Sequence, residues 1–207
     1  MKVVVYGASG KVGRQVVRRL LDKEISVTAF IHTKNPFADN PKLKVIRGDI
    51  FILKDVENAM KGADAVISTL GSWGTKHQNV VSSGIKNILL AMDKHNIKRV
   101  ISLTGIAFCE DDKPSKLDRL NHALIKLGAP KILKDGEDHI ALLGKSDTDW
   151  TVIRSPVMTN SRTSTYQLVD KLAGIFAYIP RSAVARAMVE QIKSSEHIKK
   201  APVIKRV

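Results

Sequence analysis

The 207-residue chain has one cysteine, Cys109, so no disulfide can form within it and a reducing compartment suits it. Aromatic residues make up only 5%, too few for a platform on which nucleic-acid bases would stack. No apolar run approaches the roughly 18 residues needed to span a membrane, and no membrane partner is expected. Neither an H-E-x-x-H motif nor paired cysteines are present, so no metal is expected. The first strand pattern begins at Lys2, which leaves no room for a signal peptide, and a cytoplasmic protein is expected.

Acidic residues are also scarce: 20 against 34 lysines and arginines, a formal net charge of +14. The basic residues are scattered, with Arg14, Arg18, Arg19 and Lys23 near the start and Lys193, Lys199, Lys200, Lys205 and Arg206 near the end. With no arginine-rich arm, this pattern reads as solvated basic faces, and nucleic acid is not expected as a partner. The positive field does suit anionic small ligands. A hydrophobic content of 43% and a charged content of 26% are ordinary for a globular protein. The length fits one domain over residues 1–207.

What is present begins with Val3-Val4-Val5-Tyr6-Gly7-Ala8-Ser9-Gly10-Lys11-Val12-Gly13. A β-branched run is followed by three glycines and then by an amphipathic helix pattern. Glycines let the backbone approach a ligand closely, and the N–H groups at a helix start favour negative charge, so this arrangement cradles a pyrophosphate. The spacing is G-x-x-G-x-x-G and not the general G-x-G-x-x-G fingerprint.

Periodicity predicts strands and helices in alternation. Strands are expected at residues 2–6, 26–32, 43–47, 65–68, 99–104, 150–154 and 202–205. Helices are expected at 11–22, 53–60, from after Gly74 to 95, 117–127, up to 143, and 183–192. Leu117, Leu120, Leu124 and Leu127 mark one of them. Residues 157–180 are the least periodic and are expected to form a substrate-side segment. Alternation of this kind predicts an α/β fold, a Rossmann-type doubly wound and mainly parallel sheet with helices on both faces. Ligands in such sheets lie beyond the carboxyl ends of the strands, so the residues just after each strand carry the information.

Those residues resemble a known group. Gly7-Ala8-Ser9-Gly10-Lys11-Val12-Gly13, Gly48-Asp49, Ser102-Leu103-Thr104 and Asp149-Trp150-Thr151-Val152-Ile153-Arg154-Ser155-Pro156 are similar to the atypical short-chain dehydrogenase/reductases. More narrowly, they resemble the NAD(P)H-binding, NmrA-like branch that contains the biliverdin-IXβ/flavin reductases. The resemblance covers nearly the whole chain in order. It implies that Gly7, Ser9, Gly10, Lys11 and Val12 wrap a cofactor pyrophosphate and that Asp49 and Ile50 sit beside the adenine. It also implies that Thr69, Leu70 and Gly71 line the path towards the nicotinamide, with Thr104 near the nicotinamide itself. Asp49 reads equally well as a cap of the next helix.

A carboxylate at the end of the second strand would select NAD, whereas a cation there accommodates the extra phosphate of NADP. This chain reads His32-Thr33-Lys34, with no acid before Asp39, and Lys11 adds a further positive charge. NADP(H) is therefore expected in preference to NAD(H).

The catalytic Tyr-x-x-x-Lys pair of ordinary short-chain dehydrogenases is missing. The tyrosines are Tyr6, Tyr166 and Tyr178, and none has a lysine four residues on. The biliverdin/flavin reductases dispense with that tyrosine, but where they carry a serine and a histidine this chain has Gly105 and Val157. His139 matches a family histidine and is a candidate proton donor, and Thr104 is a candidate for holding substrate or nicotinamide. Trp73 could border the cleft. The expected activity is NADPH-dependent reduction of a flat conjugated acceptor such as a flavin or quinone. The alternative is a catalytically silent NADP(H)-binding sensor.

Overall fold

The β-branched run near the start of the chain lies at the centre of the computed structural model, which describes residues 1–72, 75, 77–109, 112, 114–161, 163–170 and 177–207. In strand β1 (Lys2–Tyr6), Val3, Val4, Val5 and Tyr6 are all fully buried. A strand covered by helices on both faces needs apolar residues pointing both ways, hence a continuous run and no alternation.

The chain continues through α1 (Gly13–Asp22), β2 (Ser26–Ile31), β3 (Leu43–Arg47), α2 (Leu53–Met60), β4 (Ala65–Ser68), α3 (Val80–Lys94) and β5 (Arg99–Thr104). It goes on through α4 (Lys116–Gly128), α5 (Pro130–Gly144), β6 (Asp149–Arg154), β7 (Val157–Thr159), β8 (Gln167–Val169), β9 (Tyr178–Pro180), α6 (Arg181–Gln191) and β10 (Val203–Lys205). Eight strands form one sheet in the order β3-β2-β1-β4-β5-β6-β10-β8, parallel except for β8 against β10. Strands β7 and β9 form a separate parallel pair.

One apolar core lies on each face. Val16, Val17 and Leu20 of α1 pack with Val184 and Met188 of α6 on one side. Val56, Met60, Ile85, Ile88 and Leu143 of α2, α3 and α5 pack on the other. This is the doubly wound Rossmann arrangement that the alternation predicts. The strand order reverses between β1 and β4, so the turns that follow those strands face a common crevice, the place where open parallel sheets bind ligands.

The differences from the sequence expectation that bear on the site lie at two helix starts and in one aperiodic stretch. Helix α1 starts at Gly13 and not at residue 11, because Lys11 and Val12 form a turn that closes when Arg14 N–H donates to Gly10 O at 3.0 Å. Helix α6 starts at Arg181, immediately after Pro180. The aperiodic stretch 157–180 contains β7, β8 and β9, three residues each and too short to register as alternation.

Candidate active site

The glycine loop is held in shape from both ends. Gly7 has φ of 73°, in the left-handed region where a side chain is strained. A Cβ on Gly13 would lie 2.3 Å from Gly7 O and 2.8 Å from Thr69 Oγ1, so α1 can approach the loop this closely only with glycine there. Thr69, predicted to line the cofactor path, uses its hydroxyl to donate to Tyr6 O and Gly7 O, both at 3.0 Å, and so fastens the turn after β4 to the loop. No side chain caps the start of α1, and its first turn carries no acid. The helix start therefore presents N–H donors and positive potential to an anion, and Ser9, Gly10, Lys11 and Val12 run directly into it. Val12 is itself buried in the core, so only its backbone faces the turn. These residues fit a pyrophosphate.

Beyond β2 and β3, His32, Thr33 and Lys34 are exposed. His32 Nε2 lies 4.0 Å from Asp49 Oδ2, which brings the ends of the two strands together. Asp49 Oδ1 accepts from Phe51 N–H at 2.9 Å, which closes a local turn ahead of α2. The N-cap of α2 is Ile52 and no side chain caps that helix, so Asp49 does not have the capping role that its position suggests. Ile50 is buried, and its carbonyl accepts from Asn87 Nδ2 at 2.8 Å. On the outer side of α1, Lys11, Arg14 and Arg18 line an open groove with Phe37 and Asn160.

A cavity of about 590 Å³ opens beyond the carboxyl ends of β4, β5 and β6. Leu70 and Gly71 from the turn after β4 border it, together with Leu103, Thr104, Gly105, Ile125, Leu133, Pro156, Met158 and Arg181. Val157, Met158 and Ala177 bring the aperiodic segment into its wall. The hydroxyl of Thr104 makes no hydrogen bond to another described residue, and Thr104 borders this space. Close behind it, a Cβ on Gly136 would meet Thr104 Oγ1 at 2.8 Å, so α5 packs directly onto the end of β5. Trp73 lies outside the described residues.

His139 is not in the cavity wall. It is fully buried, and its Nε2 lies 2.7 Å from Ser102 Oγ inside the sheet–α5 contact. Burial lowers its pKa to about 4, against a smaller raising effect from Asp135. It is buried behind the cavity and uncharged at neutral pH, which argues against the proton-donor role expected of His139. The tyrosines stand elsewhere too. Tyr6 donates to Val56 O at 2.7 Å, Tyr166 bonds Glu190, and Tyr178 accepts from Arg206 at 2.9 Å. Burial raises the pKa of both Tyr6 and Tyr166.

Two buried ionic devices were not visible in the sequence. Asp135, on α5, accepts from the Ser72 hydroxyl and from the N–H groups of Val81 (3.1 Å) and Ser82 (2.8 Å), so it caps α3 from another helix. Arg154, at the end of β6, pairs with both oxygens of Asp112 and donates to Ala201 O (2.6 Å) and Ala107 O (3.1 Å). It thereby fixes the loop after β5, which supplies Gly105, Ile106 and Ala107 to the cavity. The partners are more than 40 residues apart, and no local pattern announces them. Among the described residues, no cluster of histidine, cysteine or acidic side chains could hold a metal, and no helix is long and apolar enough to cross a membrane.

A parallel sheet with a glycine turn at its switch point and an uncapped helix behind it defines a Rossmann-type dinucleotide-binding protein. The chain belongs to the NAD(P)H-binding family, whose model matches residues 7–195. It is similar to a 2-alkyl-3-oxoalkanoate reductase of Stenotrophomonas maltophilia (strain K279a), with 31% identity over 145 residues, 67% of this chain and 41% of that protein. It thus spans well under half the length of that curated relative. Its fold is similar to that of a wide-type short-chain dehydrogenase/reductase from Veillonella parvula DSM 2008 in complex with NADP. The TM-score is 0.79 at 16% identity, covering 99% of this chain and 94% of that one. It is also similar to ChuY, an anaerobillin reductase of Escherichia coli O157:H7, with a TM-score of 0.78 at 17% identity over 100% and 97% of the two chains. At these identities the likeness to the solved structures is one of fold.

Proposed function

We propose that this protein is an NADPH-dependent reductase acting on a flat, conjugated, electron-poor acceptor. The observation that carries this reading is the apolar cavity beside Thr104, bordered by Leu70 and Gly71, which directly follow the Thr69 that is bonded to the glycine loop. When bound, the reduced nicotinamide supplies the hydride. The start of α1 holds the pyrophosphate through its N–H groups. His32 and Lys34, with Lys11 nearby, receive the additional phosphate of NADPH; no acid directly follows β2 in the chain, and Asp49 is the acid that lies 4.0 Å from His32. The hydroxyl of Thr104, which bonds no other described residue, orients the nicotinamide amide or the acceptor carbonyl, while the apolar walls exclude water and keep the two rings in register.

The proton that follows the hydride comes from solvent once the reduced, stabilised anion leaves the cavity. Asp135 is the one acid bordering the cavity among the described residues, and hydrogen bonds occupy both its oxygens. An electron-poor acceptor tolerates this arrangement because hydride transfer leaves a stabilised anion. A saturated ketone does not.

The absence of a free acid bordering the cavity among the described residues also favours a second reading, an NADP(H)-binding sensor without turnover. The two separate when the protein is mixed with NADPH and FMN, FAD or quinones and the reduced-nicotinamide absorbance is followed. The reductase reading expects acceptor-dependent loss of NADPH. Tight NADPH binding with no loss on any acceptor would establish the sensor. Lys34→Ala should weaken NADPH about tenfold, the equivalent of ~1.4 kcal/mol, and leave NADH unchanged. Equal losses for both cofactors would remove Lys34 from phosphate recognition.

A further inference from the structure

We propose that Arg181 anchors an anionic group on the acceptor, so that the cavity selects flat apolar molecules bearing a carboxylate, sulfonate or phosphate over their uncharged counterparts. The proposal takes from the reductase reading only what happens to the molecule after it binds.

Two arginines drawn below the surface, Arg154 and Arg99, are held by several partners, whereas Arg19 Nε, on α1, is buried with none among the described residues. Arg154 makes four hydrogen bonds, two of them to the Asp112 carboxylate. Arg99 makes four as well, to Asp149 O, Thr151 Oγ1, Gln191 O and Ser194 O. Arg181 differs. It is half-buried and borders the cavity, and it donates once, from Nη1 to Asn160 Oδ1 at 2.8 Å, a neutral acceptor. Among the described residues no carboxylate pairs with it. A guanidinium carries five N–H donors in a rigid fork, and leaving them partly desolvated without an anion is unfavourable. A ligand carboxylate or phosphate supplies the missing partner through charge-assisted, bidentate bonds.

The surroundings favour that partner over water or an internal acid. Most of the cavity wall is apolar, with Leu103, Ile125, Leu133 and Met158 among its contributors. The only acidic group described there, Asp135, is committed to capping α3. Arg181 is therefore a positive charge at the edge of a mostly apolar cavity, with no paired acid among the described residues. It is also held in place. Thr159 and Pro180 are register partners of β7 and β9, so the residues that follow them, Asn160 and Arg181, emerge side by side, and their hydrogen bond aims the guanidinium. An uncharged flat ligand would cover the guanidinium without pairing it. The net charge of +14 adds long-range attraction for anions.

The cofactor pyrophosphate offers the same chemistry, and Asn160 also borders the groove containing Lys11. Two redox-inert probes, 2-naphthoate and naphthalene-2-carboxamide, decide between the sources when titrated calorimetrically into the full chain saturated with NADP⁺. The expected wild-type preference for the carboxylate is about tenfold or more, ~1.4 kcal/mol. Arg181→Gln should bring the ratio close to one while leaving amide affinity and NADPH affinity unchanged, and Arg181→Lys should retain part of the preference. Retained amide binding also reports that the variant is folded. Equal binding of the two probes by the wild type would overturn the proposal. So would a preference that survives Arg181→Gln, or an Arg181→Gln variant whose loss falls on NADPH. Neither probe is reduced, so the result does not depend on whether the protein turns over an acceptor.

Discussion

His139 Nε2 lies 2.7 Å from Ser102 Oγ in a contact from which water is excluded, and Nδ1 has no partner among the described residues. Burial lowers the pKa of this histidine from 6.5 to about 4. Below the unfolded value the denatured chain takes up a proton that the native imidazole refuses. Stability from this residue is therefore complete above pH 6.5 and declines as the pH falls towards 4, by about 3 kcal/mol in total. Urea unfolding of the wild type and His139→Gln at several pH values checks this. The wild type should lose more stability than the variant over that window, and parallel pH profiles would show that His139 does not carry the effect.

Asp135 closes the start of α3 across 53 and 54 residues of sequence through the amides of Ser82 and Val81. Asp135→Ala should cost about 1–3 kcal/mol of unfolding free energy, because two helix N–H groups and the Ser72 hydroxyl lose their acceptor. Asp135→Asn, which keeps one carbonyl oxygen, should cost less. Chemical denaturation of both variants measures the order, and equal costs would mean that the charge, and not the acceptor, matters.

Gly13 permits the contact between α1 and the glycine loop. Gly13→Ala would force a Cβ to within 2.3 Å of Gly7 O, so the loop must open. NADPH affinity should fall roughly tenfold or more. Gly144→Ala is the control: nothing lies within 4 Å of a Cβ there and φ is not in the left-handed region, so cofactor binding should not change. Fluorescence titration of NADPH reads both, and unaltered binding by Gly13→Ala would mean that the loop has room the geometry denies.

How legible these features were in the sequence depended on how local their causes are. Strands β1, β3, β4 and β5 and helix α2 lie at the predicted residues, because apolar runs and helical periods are properties of consecutive residues. The glycine turn was legible for the same reason. Strands β7, β8 and β9 were not, since three-residue strands contain no period. The Asp135 cap, the Arg154–Asp112 pair and the opening of Arg181 into the cavity arise only when distant segments meet. His139 shows the converse: a histidine at a suggestive position, whose burial beside Ser102 no neighbouring residue revealed.

The central claim, that nicotinamide and acceptor meet beside Thr104, is tested most directly by a single-turnover reaction with NADPH deuterated at the transferring carbon and a flavin or quinone acceptor. The account predicts one oxidised cofactor for each acceptor reduced, and a primary isotope effect on the transfer step. It also predicts that the rate falls in Thr104→Val while NADPH affinity is kept. Oxidised cofactor that never appears in the presence of any acceptor, with NADPH firmly bound, would contradict it.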